Sequence, residues 1–310
     1  MTKNKIEPGW LFLAIIVLHM VLELLILHTS FAELIPWNMA TNLILSEAVI
    51  WVPCVVYLAL KKTNPLTYCR IRRVKVGTVF MTVLFTMLCG PLVTLSNAIS
   101  MLFVENTVVN FSGSILEMPF LPMLLLMAVY GPFVEEFGFR GMLYTGYKSN
   151  GNVLRAVVLS AFLFAIMHMN FNQATYAFVI GVMLALLMEA TDSIWPVFIV
   201  HFCVNAFSVC TMFLMNAISA EYMELMAETA SEVTTPEQML LVICVYFVLA
   251  IMFTPLAICV LVWIAHHEGR IANLKGVWAS RKIKGDNPFD VPLILGIIIC
   301  VVQMFRNLQL

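Results

Sequence analysis

Long apolar runs divide the chain. They lie at about residues 10–28, 41–60, 77–104, 118–147, 153–170, 174–190, 194–216 and 239–265. A helix needs about 20 mostly apolar residues to cross the hydrocarbon core of a bilayer, so these eight runs predict eight membrane-spanning helices. The fifth and sixth are short. The third and fourth are long enough to tilt, kink or continue past the membrane, and Gly90-Pro91 marks an expected kink in the third. A ninth run, 291–305, has a length compatible with spanning, re-entry or an interfacial position. The first run is longer than a signal-peptide core and no small-x-small cleavage pattern follows it, so it is expected to be retained. The predicted fold class is an all-α polytopic membrane protein with about eight transmembrane helices, the short C-terminal hydrophobic segment being a candidate ninth. Nothing marks a second domain, so residues 1–310 are expected to form one transmembrane domain.

Composition strengthens this reading: 62% of residues are hydrophobic and 11% charged, against roughly half and a quarter in soluble domains. The net charge of −1 gives no global field that would attract nucleic acid. Eight cysteines, most of them inside apolar runs and none in a CxxC pair, are expected to pack rather than to bind metal or form disulfides.

The distribution of charge along the chain predicts orientation. Lys3 and Lys5 precede the first run, six Lys and Arg lie in 61–75, Lys148 and Arg155 flank the fourth connection, and five more fall in 266–290. The intervening connections at 29–40, 105–117, 170–173 and 217–238 have none, and the last of these carries five glutamates. By the positive-inside rule the N-terminus is expected on the cytoplasmic side. The basic run 61–75 is expected to touch anionic lipid.

Ionisable side chains inside spans are costly unless they pair or face a polar cavity. Here they are His19, Glu23, Glu47, Glu135, Glu136, Arg140, His168 and His201. Glu136 and Arg140 are four apart on one helix face and are expected to pair, leaving Glu135, rotated by about 100°, free. His19 and Glu23 have the same spacing and are expected to pair structurally, and Glu47, near the start of its run, reads as interfacial. Phe164 and His168 share one face of the fifth run, as do His201 and Asn205 in the seventh. Measured from the cytoplasmic ends, Glu135, His168, His201 and Asn205 lie about 18, 22, 10 and 16 Å deep, compatible with one cluster near the membrane middle. The expectation is a cavity open to the cytoplasm.

Such a cluster supports hydrolysis by activated water. A desolvated carboxylate serves as general base, a histidine orients the water, and a second histidine with an amide stabilises an oxyanion. Alternatively Glu135, His168 and His201 form a two-histidine, one-carboxylate zinc set. The HExxH pattern and a GxSG-type serine are absent, and Asp192, Asp286 and Asp290 all lie in connections, which argues against an aspartyl pair.

EEFGFR, FAIMH and HFCVN, in that order on successive runs, match E-E-x-x-x-R, F-x-x-x-H and H-x-x-x-N. Together they resemble the CPBP family of intramembrane proteases, which includes the type II CAAX prenyl endopeptidases and the Abi proteins linked to bacteriocin processing and immunity. The resemblance covers about residues 118–216. It implies a membrane endopeptidase in which Glu135 activates water, His168 helps position it, His201 and Asn205 form the oxyanion site, and Glu136 with Arg140 holds the helix in register. It also implies a peptide or protein substrate (a prenylated C-terminus, a leader or a pro-peptide), and a cofactor that is either absent or a divalent metal, since both metalloprotease and metal-free glutamate mechanisms are proposed for the family. A catalytically silent immunity or scaffold protein, and a proton-coupled transporter, are the alternative functions.

Overall fold

In a computed structural model the protein is described over residues 7–218 and 236–308; Lys3, Lys5 and the acidic stretch 219–235 lie outside the described residues. All nine runs are helical: α1 (Pro8–His28), α2 (Met39–Leu60), α3 (Val76–Ser100), α4 (Phe120–Lys148), α5 (Val153–Met167), α6 (Phe171–Thr191), α7 (Ile194–Ile218), α8 (Pro236–His267) and α9 (Val291–Asn307). Seven are long and apolar enough to cross a membrane, and α5 and α9 are shorter apolar helices. No strand occurs among the described residues. Helix α3 runs through Pro91 without a break. Many large apolar side chains, such as Leu24, Phe80, Phe207 and Ile251, are exposed, as expected of helices whose solvent is lipid.

Helix α4 is enclosed by the bundle over its second half, where every side chain from Phe137 to Tyr144 is buried. Two glycines of the GFRG stretch make this possible. A Cβ on Gly138 would lie 2.6 Å from Ile50 Cγ2 of α2, and one on Gly141 would lie 2.9 Å from Cys69 Cβ.

The helix is not uniformly α. It widens into π-helical turns at Leu125–Tyr130 and Phe137–Tyr144, a geometry that recurs at functional sites. Pro132 accounts for the first. A proline has no N–H and crowds the carbonyl four residues back, and here Gly131 N–H bonds five residues back to Leu126 O.

Helix α9 lies along α1, both running in the same direction. Gly9 sits against Asp290, where a Cβ would fall 2.1 Å from the carboxylate, and one on Gly296 would be 2.8 Å from Phe12 Cδ1. At the other end Gln303 Nε2 donates to Glu23 at 3.2 Å, and Arg306 Nη1 is 3.5 Å from the same carboxylate. Glu23 is therefore joined to α9 while staying within electrostatic reach of His19, as its spacing suggested.

The basic connections do not simply face lipid. Arg70 is buried, its Nη1 3.0 Å from Glu189 Oε1 and its Nε 3.5 Å from Asp192 Oδ1. Lys148 Nζ donates to both oxygens of Glu189 at 2.6 and 2.7 Å, and Arg72 and Arg270 reach Asp192 at 2.5 and 3.5 Å. This network fastens the 61–75 segment to the ends of α4 and α6.

Candidate active site

The residues singled out in the sequence meet around one cavity of about 430 Å³. Helix α4 contributes Glu135 to its wall, α5 ends on it with His168, and α7 adds His201 and Asn205. Behind the wall, Glu136 and Arg140 are wholly buried, with Arg140 Nη1 donating to Glu136 Oε1 at 2.9 Å.

His201 joins the two glutamates. Its Nδ1 is 2.7 Å from Glu136 Oε1 and its Nε2 is 3.4 Å from Glu135 Oε2. Glu136 Oε1 is thus shared by a guanidinium and an imidazole, and Arg140, Glu136, His201 and Glu135 form a linear chain of partners. The carboxylate on Nδ1 fixes the ring's orientation, the role a buried acid performs for a catalytic histidine. Only one arm of Arg140 is hydrogen-bonded; Nε and Nη2 have no hydrogen-bond acceptor. The Phe164 ring offers compensation, with Arg140 Cζ 4.3 Å above its centroid. The same ring packs edge-on against His168 and His201, at 5.1 and 5.9 Å, so the phenylalanine of FAIMH supports three groups of the site.

Gly181 of α6 leaves room for that guanidinium. A Cβ there would lie 2.9 Å from Ala161 Cα and 3.2 Å from Arg140 Nη2. Gly181→Val should lower the detergent melting temperature by an amount corresponding to about 1–3 kcal/mol of overpacking. Gly90→Ala, where a Cβ meets nothing within 4 Å, should melt no lower than wild type. Equal melting of the two variants would contradict the tight fit at Gly181.

Helix α5 ends at His168, whose Nδ1 bonds to Phe164 O at 2.9 Å, and Met169 turns the chain in a left-handed conformation. With Nδ1–H donated to that carbonyl, the neutral ring presents Nε2 as an acceptor.

Asn205 has a task visible only in the folded chain. In the widened turn of α4, Gly131 N–H serves Leu126 O, and the next residue along is Pro132, with no N–H to offer Met127 O. Asn205 Nδ2 donates to that orphaned carbonyl at 2.8 Å, leaving its second amide hydrogen for other partners.

Glu47 is the residue the sequence misassigned. It is buried rather than interfacial, lines the same cavity, and has one carboxylate oxygen with no hydrogen-bond partner. Gly131 makes room for it: a Cβ there would stand 3.2 Å from Glu47 Oε1. An intramembrane carboxylate two turns into α2 was the available signal.

The zinc alternative does not fit this arrangement. Among the described residues no group of three His, Cys, Asp or Glu side chains is disposed to hold a metal ion.

The cavity's position also corrects an expectation. Its rim includes Asn97 at the end of α3, Asn106 and Val109 in the connection that follows, and Gln173 in the first turn of α6. These are the helix ends opposite to Arg70, Lys148 and Glu189. A cytoplasmic N-terminus and a cavity open to the cytoplasm do not hold together, because cavity mouth and basic connections occupy opposite ends of the bundle.

Searches of curated proteins and of solved structures gave no match. A family model described as Rce1-like, type II CAAX prenyl endopeptidase, matches residues 117–207. That segment holds all three motifs and every residue of the Arg140–Glu136–His201–Glu135 chain. The match of residues 117–207 to this Rce1-like model is consistent with the CPBP family.

Proposed function

We propose that the protein is an intramembrane endopeptidase that hydrolyses a peptide bond with water activated by Glu135. The observation that carries this reading is His201 bridging Glu135 and a wholly buried Glu136 at the wall of a cavity large enough for a peptide segment.

Glu135 takes a proton from water as the water oxygen bonds to the scissile carbonyl carbon. The carbonyl oxygen becomes an oxyanion, held by an Nε2–H of His201 and by the second amide hydrogen of Asn205. Collapse breaks the C–N bond, and the leaving amine takes the proton from Glu135. The products are a new carboxylic acid and a new amine, which leave as carboxylate and ammonium once the acid's proton passes to the amine. His168 Nε2 accepts a hydrogen bond from the water's other O–H and so orients its lone pair. Glu136 and Arg140 hold His201 rather than touch substrate. The chemistry needs a peptide or protein substrate and uses no metal-bound step.

The test is cleavage of internally quenched peptides, isoprenylated and unmodified, by purified protein with and without a zinc chelator. Chelator-resistant cleavage supports the reading, and silence across the set removes it. Chelation that abolishes cleavage, with recovery on zinc addition, replaces the glutamate mechanism by a metal one. His168→Ala should lower kcat by about 10²-fold or more with little change in melting, since its one side-chain hydrogen bond is to the carbonyl at the end of its own helix. Full activity in that variant would remove His168 from the chemistry.

A further inference from the structure

The two ends of the bundle differ in charge and in packing. Apart from Arg140 and Arg306, every Lys and Arg lies in the N-terminal segment, in the connections after α2 and α8, at the end of α4 or at the start of α5. Among the described residues the connections at the other end hold Glu33, Glu105 and Glu117 and no Lys or Arg, and Arg306 lies at that end within α9 against Glu23. The basic end is closed. Side chains 137–144 of α4 are all buried, and Arg70, Lys148 and Glu189 lock the adjacent segments together. From Glu135 the cavity instead runs toward Asn97, Asn106, Val109 and Gln173 at the acidic end. Loops rich in Lys and Arg stay cytoplasmic, so the mouth faces away from the cytoplasm.

We infer that the site takes its substrate from the non-cytoplasmic face, as an extended peptide segment of a polypeptide exposed there, with basic residues favoured by the acidic surroundings of the mouth. This rests on the peptidase reading above. A C-terminus presented from the cytosol would meet the closed, ion-paired end. Complementary charge gathers a cationic segment at the mouth, an attraction that salt weakens.

Two measurements separate the inference from the reading it rests on. Right-side-out and inverted membrane vesicles from expressing cells are treated with a membrane-impermeant maleimide. Val109→Cys, at the mouth, should label only in right-side-out vesicles, and Lys275→Cys, exposed in the basic connection, only in inverted ones; the wild-type protein with its own eight cysteines gives the background. The same vesicles then receive a water-soluble quenched peptide carrying several lysines, or its glutamate counterpart. The lysine peptide should be cut in right-side-out vesicles and not in inverted ones until detergent is added, and faster than the glutamate peptide, with the difference shrinking as salt rises. Labelling of Val109→Cys in inverted vesicles alone, or cleavage there alone, overturns the inference. Faster cutting of the glutamate peptide overturns the charge preference. Silence even in detergent removes the peptidase reading, while the labelling still decides which way the cavity opens.

Discussion

Replacing Glu135 with glutamine is expected to reduce peptide cleavage by about 10³-fold or more, toward background, while leaving the protein folded. The argument begins with what Glu135 touches. It stands at the cavity wall, its side chain 16% exposed, and its ion-pair contact is His201 Nε2 at 3.4 Å. Glutamine keeps the size and one carbonyl oxygen, so the wall and cavity keep their shape. It loses the ability to accept a proton from water, and a positioned general base contributes about 10²–10⁴-fold. The buried link between Glu136 and Arg140 is untouched, so melting in detergent should stay near wild type. The measurement is kcat on a peptide that the wild type cleaves, beside thermal unfolding of both proteins. Wild-type turnover in Glu135→Gln would end the proposed mechanism. Lost turnover together with a large fall in melting temperature would move Glu135 from chemistry to packing.

The helices were legible because membrane spans are written as long apolar runs, and all nine runs fold as helices. The meeting of Glu135, Glu136, Arg140, His168, His201 and Asn205 around one cavity was legible from depth along three helices. The direction in which that cavity opens was not. Depth fixes how far a residue lies from one end, whereas opening depends on which half the side chains fill. Here Phe139, Tyr144 and their neighbours fill the basic half. Glu47 escaped because its position near the start of a run resembles that of an interfacial residue, and the missing side chain of Gly131, which leaves it room, lies on another helix. Arg70 and Glu189 are 119 residues apart, a separation at which no helical spacing rule applies. The resemblance assigned Asn205 to the oxyanion site. Its further bond to Met127 O follows from Pro132, whose missing N–H leaves that carbonyl unserved.

The second large effect concerns Arg140, and it separates holding the site together from doing chemistry in it. Arg140 and Glu136 are both wholly buried and bonded to each other at 2.9 Å. Arg140→Met should cost about 3–5 kcal/mol, because it leaves a carboxylate in the interior without its main counter-charge. Pairs of this kind are costly to break but often neutral to replace whole. The double variant Glu136→Gln/Arg140→Met should therefore regain most of the lost stability, a coupling that a double-mutant cycle reads directly. It should not regain activity, because His201 Nδ1 then faces an amide in place of the carboxylate now 2.7 Å away, and the ring that bridges to Glu135 loses the group that orients it. Detergent melting and peptide turnover, measured on the two single variants and the double, check both halves. Unchanged melting in both single variants would deny that the pair stabilises the bundle. A stable and active double variant would show that Glu136 serves packing alone, and that Glu135 does its work without the chain of charges behind it.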